Sequence, residues 1–167
     1  MVNPPAPRLS PADVRVRVEA VPDPELPMVS LGALGVIRSV GPAQDGVIEV
    51  EITPTFLGCP AMPEIESDIR DVLAACGHPE GRVRQVLSPA WSSEWISAYG
   101  RRKLAEHGIA PPAPVGAPLP LRLGTGAPCP NCGCTATRPQ SLFGATRCQV
   151  IVVCTGCKET FPRFRTV

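Results

Sequence analysis

The chain has 167 residues, of which 44% are hydrophobic but only 4% aromatic, so its core must consist mainly of Val, Leu, Ile and Ala. This length is enough for one domain of about 100 residues with a small appendage. The net charge of +1 argues against a role of the whole chain in binding nucleic acid or membranes, and no segment approaches the ~18 consecutive apolar residues of a membrane span.

The first residues give two conflicting signals. Residues 1–9 form a Pro-rich tail, and Ser10-Pro-Ala-Asp13 is typical of a helix start, with Ser as the N-cap and Pro at the first helical position. From Val14 to Glu19, however, valines alternate with charged residues, which is the pattern of a strand. We predict a short helix here, with a strand as the alternative.

The start of the chain also bears on the compartment. It lacks the charged and apolar segments of a secretory signal. We therefore expect a cytoplasmic protein. Cysteines stay reduced there, so metal binding or thiol reactivity is favoured over disulfides.

Strand and helix patterns follow as far as residue 108. Two strands flank the turn residues Asp45-Gly46 and predict a hairpin. Gly77 and Gly108 are suited to end two predicted helices, one before each glycine. Residues 109–126 are rich in Pro and Gly and are typical of an extended linker. The predicted elements are the strands 35–41, 47–53 and 82–87 and the helices 62–76 and 92–107. A further strand is predicted over residues 149–153, directly before the second Cys-x-x-Cys pair.

Six of the eight cysteines lie between residues 129 and 157. They include two Cys-x-x-Cys pairs with 21 residues between them. Two intervening residues let a tight turn direct both thiolates at one ion, and a second such turn completes a tetrahedron with Zn–S bonds of ~2.3 Å. We predict a zinc ribbon over residues 127–167 that holds one structural zinc ion through Cys129, Cys132, Cys154 and Cys157.

Other interpretations of these cysteines remain open. Cys134 and Cys148 are alternate ligands, and a disulfide-bonded secreted module or a redox Cys-x-x-Cys are the competing chemistries. A ribbon that binds nucleic acid is a weaker alternative. Residues 111–167 carry 6 Lys and Arg against 1 Asp or Glu, but four thiolates around one Zn²⁺ would offset 2 of these charges.

Cys59 is the main candidate outside the ribbon. It lies between a flexible Gly58 and Pro60, where a helix is predicted to start. Backbone N–H groups at a helix start lower the pKa of a thiol, so Cys59 is predicted to ligate a soft metal or to attack an electrophile. The alternative is a small buried residue. Asp23 and Glu25 are predicted neighbours of this thiol or, alternatively, residues of a solvated turn.

Several common catalytic motifs are missing from the sequence. There is no Glu-x-x-His pair of the carboxylate-bridged di-iron type, no Gly-x-Gly-x-x-Gly after a strand and no phosphate loop. We therefore assign no catalytic residue and do not expect a self-contained oxygenase, dehydrogenase or NTPase.

Four motifs in order carry a family resemblance: Asp23-Pro-Glu-Leu-Pro27, Leu34-Gly-Val36, Thr55-x-x-Gly58-Cys59-Pro60 and Ser88-Pro-Ala-Trp91. Over about residues 10–108 the chain resembles the small iron–sulfur cluster assembly domain family (SufT-like). Ala33 departs from that pattern, in which many relatives have an acidic residue before Leu-Gly. With the ribbon added, the chain resembles the PaaD family of bacterial phenylacetyl-CoA epoxidase systems, which act in phenylacetate degradation.

The resemblance implies a fold and a role. The fold is α+β, with helices packed on a small mixed β-sheet over 10–108, followed by the C-terminal zinc ribbon. The role is non-catalytic assistance to iron–sulfur cluster assembly, in which Cys59 handles iron or a cluster transiently. In such systems other subunits carry the di-iron oxygenase and the flavin/iron–sulfur reductase, and the PaaD component is expected to mature that complex, in particular the reductase.

The resemblance also implies partners. They are the oxygenase and reductase subunits and general iron–sulfur assembly proteins, a homodimer is left open, and neither nucleic acid nor membrane is expected. One alternative is a structural or regulatory subunit of the monooxygenase complex itself. Another is a thiol oxidoreductase that uses Cys59 alone.

Overall fold

The computed structural model describes residues 8–112 and 128–166. The chain divides into two compact units, one that ends at Trp91 and one that begins at Ser92. The predicted tail and linker lie largely outside the described residues, and the domain limits inferred from the sequence stay predictions. No helix within the described ranges is long and apolar enough to cross a membrane.

Helix α1 (Pro11–Glu19) shows that the capping signal outweighs the alternating pattern. The Ser10 hydroxyl oxygen accepts a hydrogen bond from the backbone N–H of Asp13 at 3.2 Å. Val14 and Val18 are fully buried, whereas Val16 between them is 68% exposed. Residues four apart share one face of a helix, so two of the three valines reach the core. The predicted helix is confirmed.

The first unit contains a three-stranded mixed sheet with the strand order β1-β2-β3. Strands β1 (Ile37–Pro42) and β2 (Ile48–Ile52) pair antiparallel as the predicted hairpin, and β3 (Arg82–Gln85) pairs parallel with β2. The isoleucines and valine of β2 are buried, and its two glutamates lie opposite the two arginines of β3. Ion pairs such as Arg84 with Glu49 at 3.2 Å follow from this register.

Helix α2 (Met62–Ala75) has the predicted apolar spacing and the predicted end. After it, the N–H of Gly77 donates to the carbonyl of Ala74 at 3.0 Å, and the N–H of His78 donates to that of Leu73 at 2.9 Å. These two bonds satisfy carbonyl groups that a helix end would otherwise leave unpaired. The buried residues of the helix and its C-cap are Met62, Ile65, Ile69, Leu73 and Cys76.

The single helix predicted from residue 92 is broken in the structure, so the prediction is wrong for its first part. Ser93–Trp95 form a short 3-10 turn, Ile96 is extended, and helix α3 (Ala98–Glu106) begins only after Ser97. The Ser97 hydroxyl oxygen accepts a backbone hydrogen bond at 3.0 Å and starts the helix anew. Ile96 is only 3% exposed, so its burial in an extended conformation outweighs the local helical pattern.

The second unit contains an antiparallel sheet in the order β4-β5-β6. Its strands are β4 (Thr137–Ser141), β5 (Gln149–Cys154) and β6 (Thr160–Phe164), of which the sequence indicated only β5. Ala110, which follows α3, pairs with β6 through two backbone hydrogen bonds of 2.9 Å. The core of this ribbon contains Val150, Val152, Phe161, Ala110, Cys129 and Cys154. The predicted α+β class is confirmed.

Removal of the α1 cap should lower stability. Ser10→Ala deletes the oxygen that accepts the Asp13 N–H, and we expect the free energy of unfolding to fall by about 1 kcal/mol. Urea denaturation followed by circular dichroism measures this change. Ser67→Ala, at an exposed position within α2, is the matched control and should change stability by less than about 0.5 kcal/mol. An equal loss in both variants contradicts a capping role.

Candidate functional site

Four cysteine sulfurs converge in the second unit. The Sγ atoms of Cys129, Cys132, Cys154 and Cys157 all lie within 4.8 Å of one another. The Cys129–Cys157 and Cys132–Cys154 separations are 3.7 and 3.6 Å. A tetrahedron with metal–sulfur bonds of ~2.3 Å has sulfur–sulfur edges of ~3.8 Å. The sulfurs therefore lie near the corners that one tetrahedral metal ion requires.

The same sulfur–sulfur distances exclude one of the alternatives, a disulfide. A disulfide has an S–S bond of ~2.05 Å, so the disulfide alternative is wrong, and the cysteines of the chain are free thiols. In the described part of the chain no other group of three or more potential metal ligands converges in this way. Four sulfurs complete a tetrahedron and leave no position for a substrate, which is typical of a structural metal.

The two Cys-x-x-Cys turns share one backbone design. After the first pair, the N–H of Gly133 donates to the carbonyl of Cys129 at 2.8 Å; after the second, the N–H of Lys158 donates to that of Cys154 at 3.0 Å. Gly133 and Lys158 both have a left-handed φ, of 73° and 65°. Glycine adopts this φ readily and lysine does not. Gly133 is therefore a local sequence signal for this turn, whereas Lys158 is not.

Electrostatics explain why these sulfurs need a cation. The backbone N–H of Cys134 favours the Cys132 thiolate, but the neighbouring sulfurs outweigh it and raise the pKa of Cys132 to about 12. The backbone N–H of Cys157 lowers the pKa of Cys154 to about 6. Ionisation of one thiol therefore opposes ionisation of the next. Only a bound metal ion allows all four to be thiolates, and its binding must release protons.

Cys134 and Cys148 lie outside the converging group. Cys134 packs against the ribbon core. Its sulfur and that of Cys154 lie close to Gly156, since a side-chain Cβ added at position 156 would be 3.4 Å from the Cys134 sulfur and 3.5 Å from the Cys154 sulfur. Cys148 is buried, and its sulfur lies 2.9 Å from the Thr146 hydroxyl. A role as alternate ligand stays a prediction for both residues.

Cys59 lies in the turn before α2 in the first unit. Gly58 has a left-handed φ of 77° and open space where a side chain would extend. Helix α2 begins at Met62 with Pro63 in its first turn, so the prediction that Pro60 occupies that turn is wrong. The Cys59 carbonyl accepts the N–H of Met62 at 3.3 Å. The thiol is half-buried beside the helix start.

The predicted low pKa of Cys59 is also wrong. Burial is the largest influence and raises the pKa; the backbone N–H of Ala61 opposes it, and the charges of Glu25 and Asp23 raise the pKa further. Without a cation the thiol is therefore protonated at neutral pH. This weakens the thiol oxidoreductase alternative, because that chemistry requires a thiolate.

Asp23 is a buried turn residue rather than a solvated one. It is 8% exposed, and its Oδ1 accepts the N–H groups of Glu25 at 2.9 Å and Leu26 at 2.8 Å. Burial raises the pKa of Asp23 despite these bonds, and the charge of Glu64 raises it as well. Burial and then the charge of Asp23 raise the pKa of Glu25. Both carboxyl groups thus act on Cys59, Asp23 also acts on Glu25, and a cation here would relieve the repulsion.

A groove with a volume of about 380 Å³ opens beside Cys59, and we call it the thiol groove. Leu57 and Leu87 line it and are 76% and 56% exposed. At its polar side the Gln85 amide donates to Glu66 Oε1 at 2.7 Å. No sequence motif indicated this groove, because its residues come from separate segments. Its lining also includes Met62 and Pro63.

Two of the four sequence motifs meet in the core of the first unit. Trp91 is 3% exposed, and its indole N–H donates to the carbonyl of Leu34 at 3.0 Å. This bond joins Leu34-Gly-Val36 to Ser88-Pro-Ala-Trp91. These motifs therefore have a structural role, while Asp23 and Cys59 of the other two carry the polar chemistry.

Comparison with known families agrees with both units. The family model described as "PaaD zinc beta ribbon domain" matches residues 119–165, and the model "Iron-sulfur cluster assembly protein" matches residues 11–87. The crystal structure of a domain of unknown function (DUF59) from Bacillus anthracis has a TM-score of 0.51 and 31% identity. It covers 56% of this chain and 90% of its own.

Two curated relatives are similar in sequence. A protein of Escherichia coli (strain K12), named as the D component of 1,2-phenylacetyl-CoA epoxidase, is 34% identical over 147 residues, or 88% of this chain and 87% of that protein. The Fe-S protein maturation auxiliary factor SufT of Staphylococcus aureus (strain USA300) is 34% identical over 80 residues, or 47% of this chain and 90% of that protein. The resemblance inferred from the motifs is confirmed.

Loss of one ribbon sulfur should abolish metal binding there. Cys154→Ser removes one corner of the tetrahedron, and we expect close to one metal ion per chain in the unaltered protein and almost none in the variant. Elemental analysis after dialysis measures the content. Cys134→Ser is the control, since its sulfur lies outside the tetrahedron, and it should keep the ion. Retention of the ion by Cys154→Ser contradicts the assignment.

The electrostatic influence on Cys59 can be tested by alkylation. Glu25→Gln removes a charge that raises the pKa of Cys59, so the pKa should fall and the rate at pH 8 should rise about two- to fivefold. Mass spectrometry of the Cys59 peptide after iodoacetamide treatment gives the rate at each pH. Glu94→Gln, an exposed residue of the second unit, should leave the profile unchanged. Identical pH profiles for all three proteins contradict a charge effect of Glu25.

Proposed function

The chain belongs to the PaaD family, and on that premise we propose that it is a non-catalytic accessory protein of aerobic phenylacetate catabolism. It assists iron–sulfur cluster assembly in the phenylacetyl-CoA epoxidase system, and its client is the reductase subunit. The observation that carries the proposal is the half-buried Cys59 thiol, on which the charges of Asp23 and Glu25 act. The name of the Staphylococcus relative, a maturation factor that matches the first unit, supports it.

The surroundings of Cys59 are suited to a cationic cargo. The empty site keeps its thiol protonated, because burial and the two acidic residues oppose a further negative charge. A ferrous ion that binds the sulfur displaces this proton to solvent and gains a thiolate, a soft ligand typical of iron–sulfur chemistry. The nearby carboxyl groups then face a positive charge, and their repulsion is relieved. Loading should therefore weaken as the pH falls.

The incomplete ligand set is suited to transient binding. Within the described residues, Cys59 belongs to no group of three or more converging ligands. A cargo held through one protein sulfur keeps open coordination positions, through which it can pass to a recipient. This arrangement favours delivery over permanent storage.

The ribbon has a different task. We assign one structural zinc ion to its four sulfurs, because a tetrahedral all-sulfur site is the geometry that zinc prefers. The ion holds the two turns together and leaves the outer surface of the ribbon for contact with the oxygenase and reductase subunits. We place the protein in the cytoplasm, where its thiols stay reduced.

A second candidate function is a structural or regulatory subunit of the monooxygenase complex. The name of the Escherichia coli relative, an epoxidase component that matches nearly the whole chain, favours it. Purification of the complex discriminates between the two functions. A permanent subunit co-purifies at fixed stoichiometry and is needed for turnover by fully metallated enzyme, whereas a maturation factor is not.

The proposed function predicts that Cys59→Ser lowers the cluster content of the client. We expect at least a fivefold loss of iron and sulfide in the reductase subunit produced together with the variant, with an unchanged ribbon metal. Cys134→Ser, a similarly half-buried thiol, is the control and should support normal loading. Chemical analysis of iron and the visible absorption of the purified reductase measure the outcome. Normal clusters with Cys59→Ser rule the proposal out.

A further inference from the structure

We propose that the thiol groove is the docking surface for the cluster-ligating loop of a client iron–sulfur protein, and that this loop supplies the cysteine ligands that Cys59 lacks. This inference rests on the proposed function and specifies the surface and the chemistry of the partner. Three observations support it: the shortage of ligands at Cys59, the exposed leucines that line the groove, and the acidic residues around it.

The shortage of ligands requires an outside donor. A [2Fe–2S] cluster takes four protein ligands, commonly all cysteines. Here one thiol is present, and in the described ranges no third ligand atom joins it in a converging group. A cluster at Cys59 must therefore share its remaining positions with another molecule. A recipient must in any case bring its own cysteines within bonding distance of the same iron.

The leucines of the groove lie where that recipient has to approach. Leu57 is two residues before Cys59 and is 76% exposed, and Leu87 is 56% exposed in the same groove. Met62 and Pro63 extend the apolar lining to the first turn of α2. Large exposed apolar side chains that share a groove mark a surface that binds a partner. A loop that reaches the Cys59 sulfur covers both leucines.

Charge favours a client over a second copy of this chain. Glu66 lines the groove, and Asp23 and Glu25 lie close enough to Cys59 for their charges to act on it. A symmetric contact between two copies brings these acidic groups together, and like charges across an interface oppose association. The ligating loop of the partner is therefore neutral or basic.

The transfer itself balances without a redox partner. The bond between iron and the Cys59 sulfur breaks, and a bond between the same iron and a client cysteine sulfur forms. The proton of the client thiol ends on the Cys59 sulfur. Iron and sulfide keep their oxidation states.

The test separates docking from loading. Metal-free chain is titrated with the metal-free reductase subunit of the same epoxidase system. The double variant Leu57→Ser/Leu87→Ser should bind at least tenfold more weakly than the unaltered chain. Val16→Ser removes a comparably exposed apolar side chain from α1, outside the groove, and should bind within twofold. In a second arm, these proteins and Cys59→Ser are loaded anaerobically with ferric iron and sulfide in the presence of a small thiol that fills the open coordination positions, and transfer to the reductase is followed by circular dichroism.

Each outcome has a distinct meaning. Normal loading of Leu57→Ser/Leu87→Ser with transfer slowed at least tenfold supports the inference. Loading that does not depend on Cys59 overturns the proposed function, whatever the binding arm shows. Loading that does depend on Cys59, with binding and transfer by the leucine variant within twofold of normal, overturns this inference alone. Self-association that the leucine variant abolishes assigns the groove to a second copy and overturns the client assignment.

Discussion

Negative charges that are packed together need a cation, and both candidate sites of this chain are built around that requirement. In the ribbon, four sulfurs lie 3.6–4.8 Å apart, and their mutual repulsion keeps Cys132 protonated while Cys154 ionises. In the first unit, burial and the charges of Glu25 and Asp23 keep Cys59 protonated. The ribbon therefore exchanges protons for its metal ion, and the iron proposed as cargo at Cys59 would do the same, so that acid favours the empty site in both cases.

The sites differ in how completely the backbone builds them. The ribbon sulfurs are directed by two turns of one design, in which Gly133 and Lys158 take a left-handed φ and bond back to the first cysteine of each pair. The turn at Cys59 presents a single sulfur beside the start of α2, and its acidic neighbours come from the separate turn that Asp23 organises through its own backbone bonds. Four converging sulfurs are suited to hold an ion permanently. The single sulfur of Cys59, with the carboxyl groups of Asp23 and Glu25 from a distant part of the sequence, leaves coordination positions open.

The sequence predicted correctly those features of the structure that depend on residues close together in the chain. Cysteine spacing located the four converging sulfurs because a Cys-x-x-Cys turn is closed by residues within the turn itself. Ser10 located the start of α1 because a cap acts on the next three residues. Predictions were wrong where distant residues decide. Burial of Ile96 breaks the expected helix before α3, and burial with the charges of Glu25 and Asp23 reverses the expected pKa of Cys59. The thiol groove was missed for the same reason, since Leu57 and Leu87 come from segments on either side of α2.

Under the proposed function, competition between metals explains why one chain keeps two such different sites. For equal ligands zinc binds more tightly than ferrous iron, so a preformed site of four thiolates retains zinc and excludes iron as a cargo. That selectivity suits the ribbon, where the ion has only to hold the turns together. A site that must release iron cannot use the same design. Cys59 offers a single thiol, which stays protonated until a cation binds. Tight binding therefore arises only when a partner contributes further sulfur ligands.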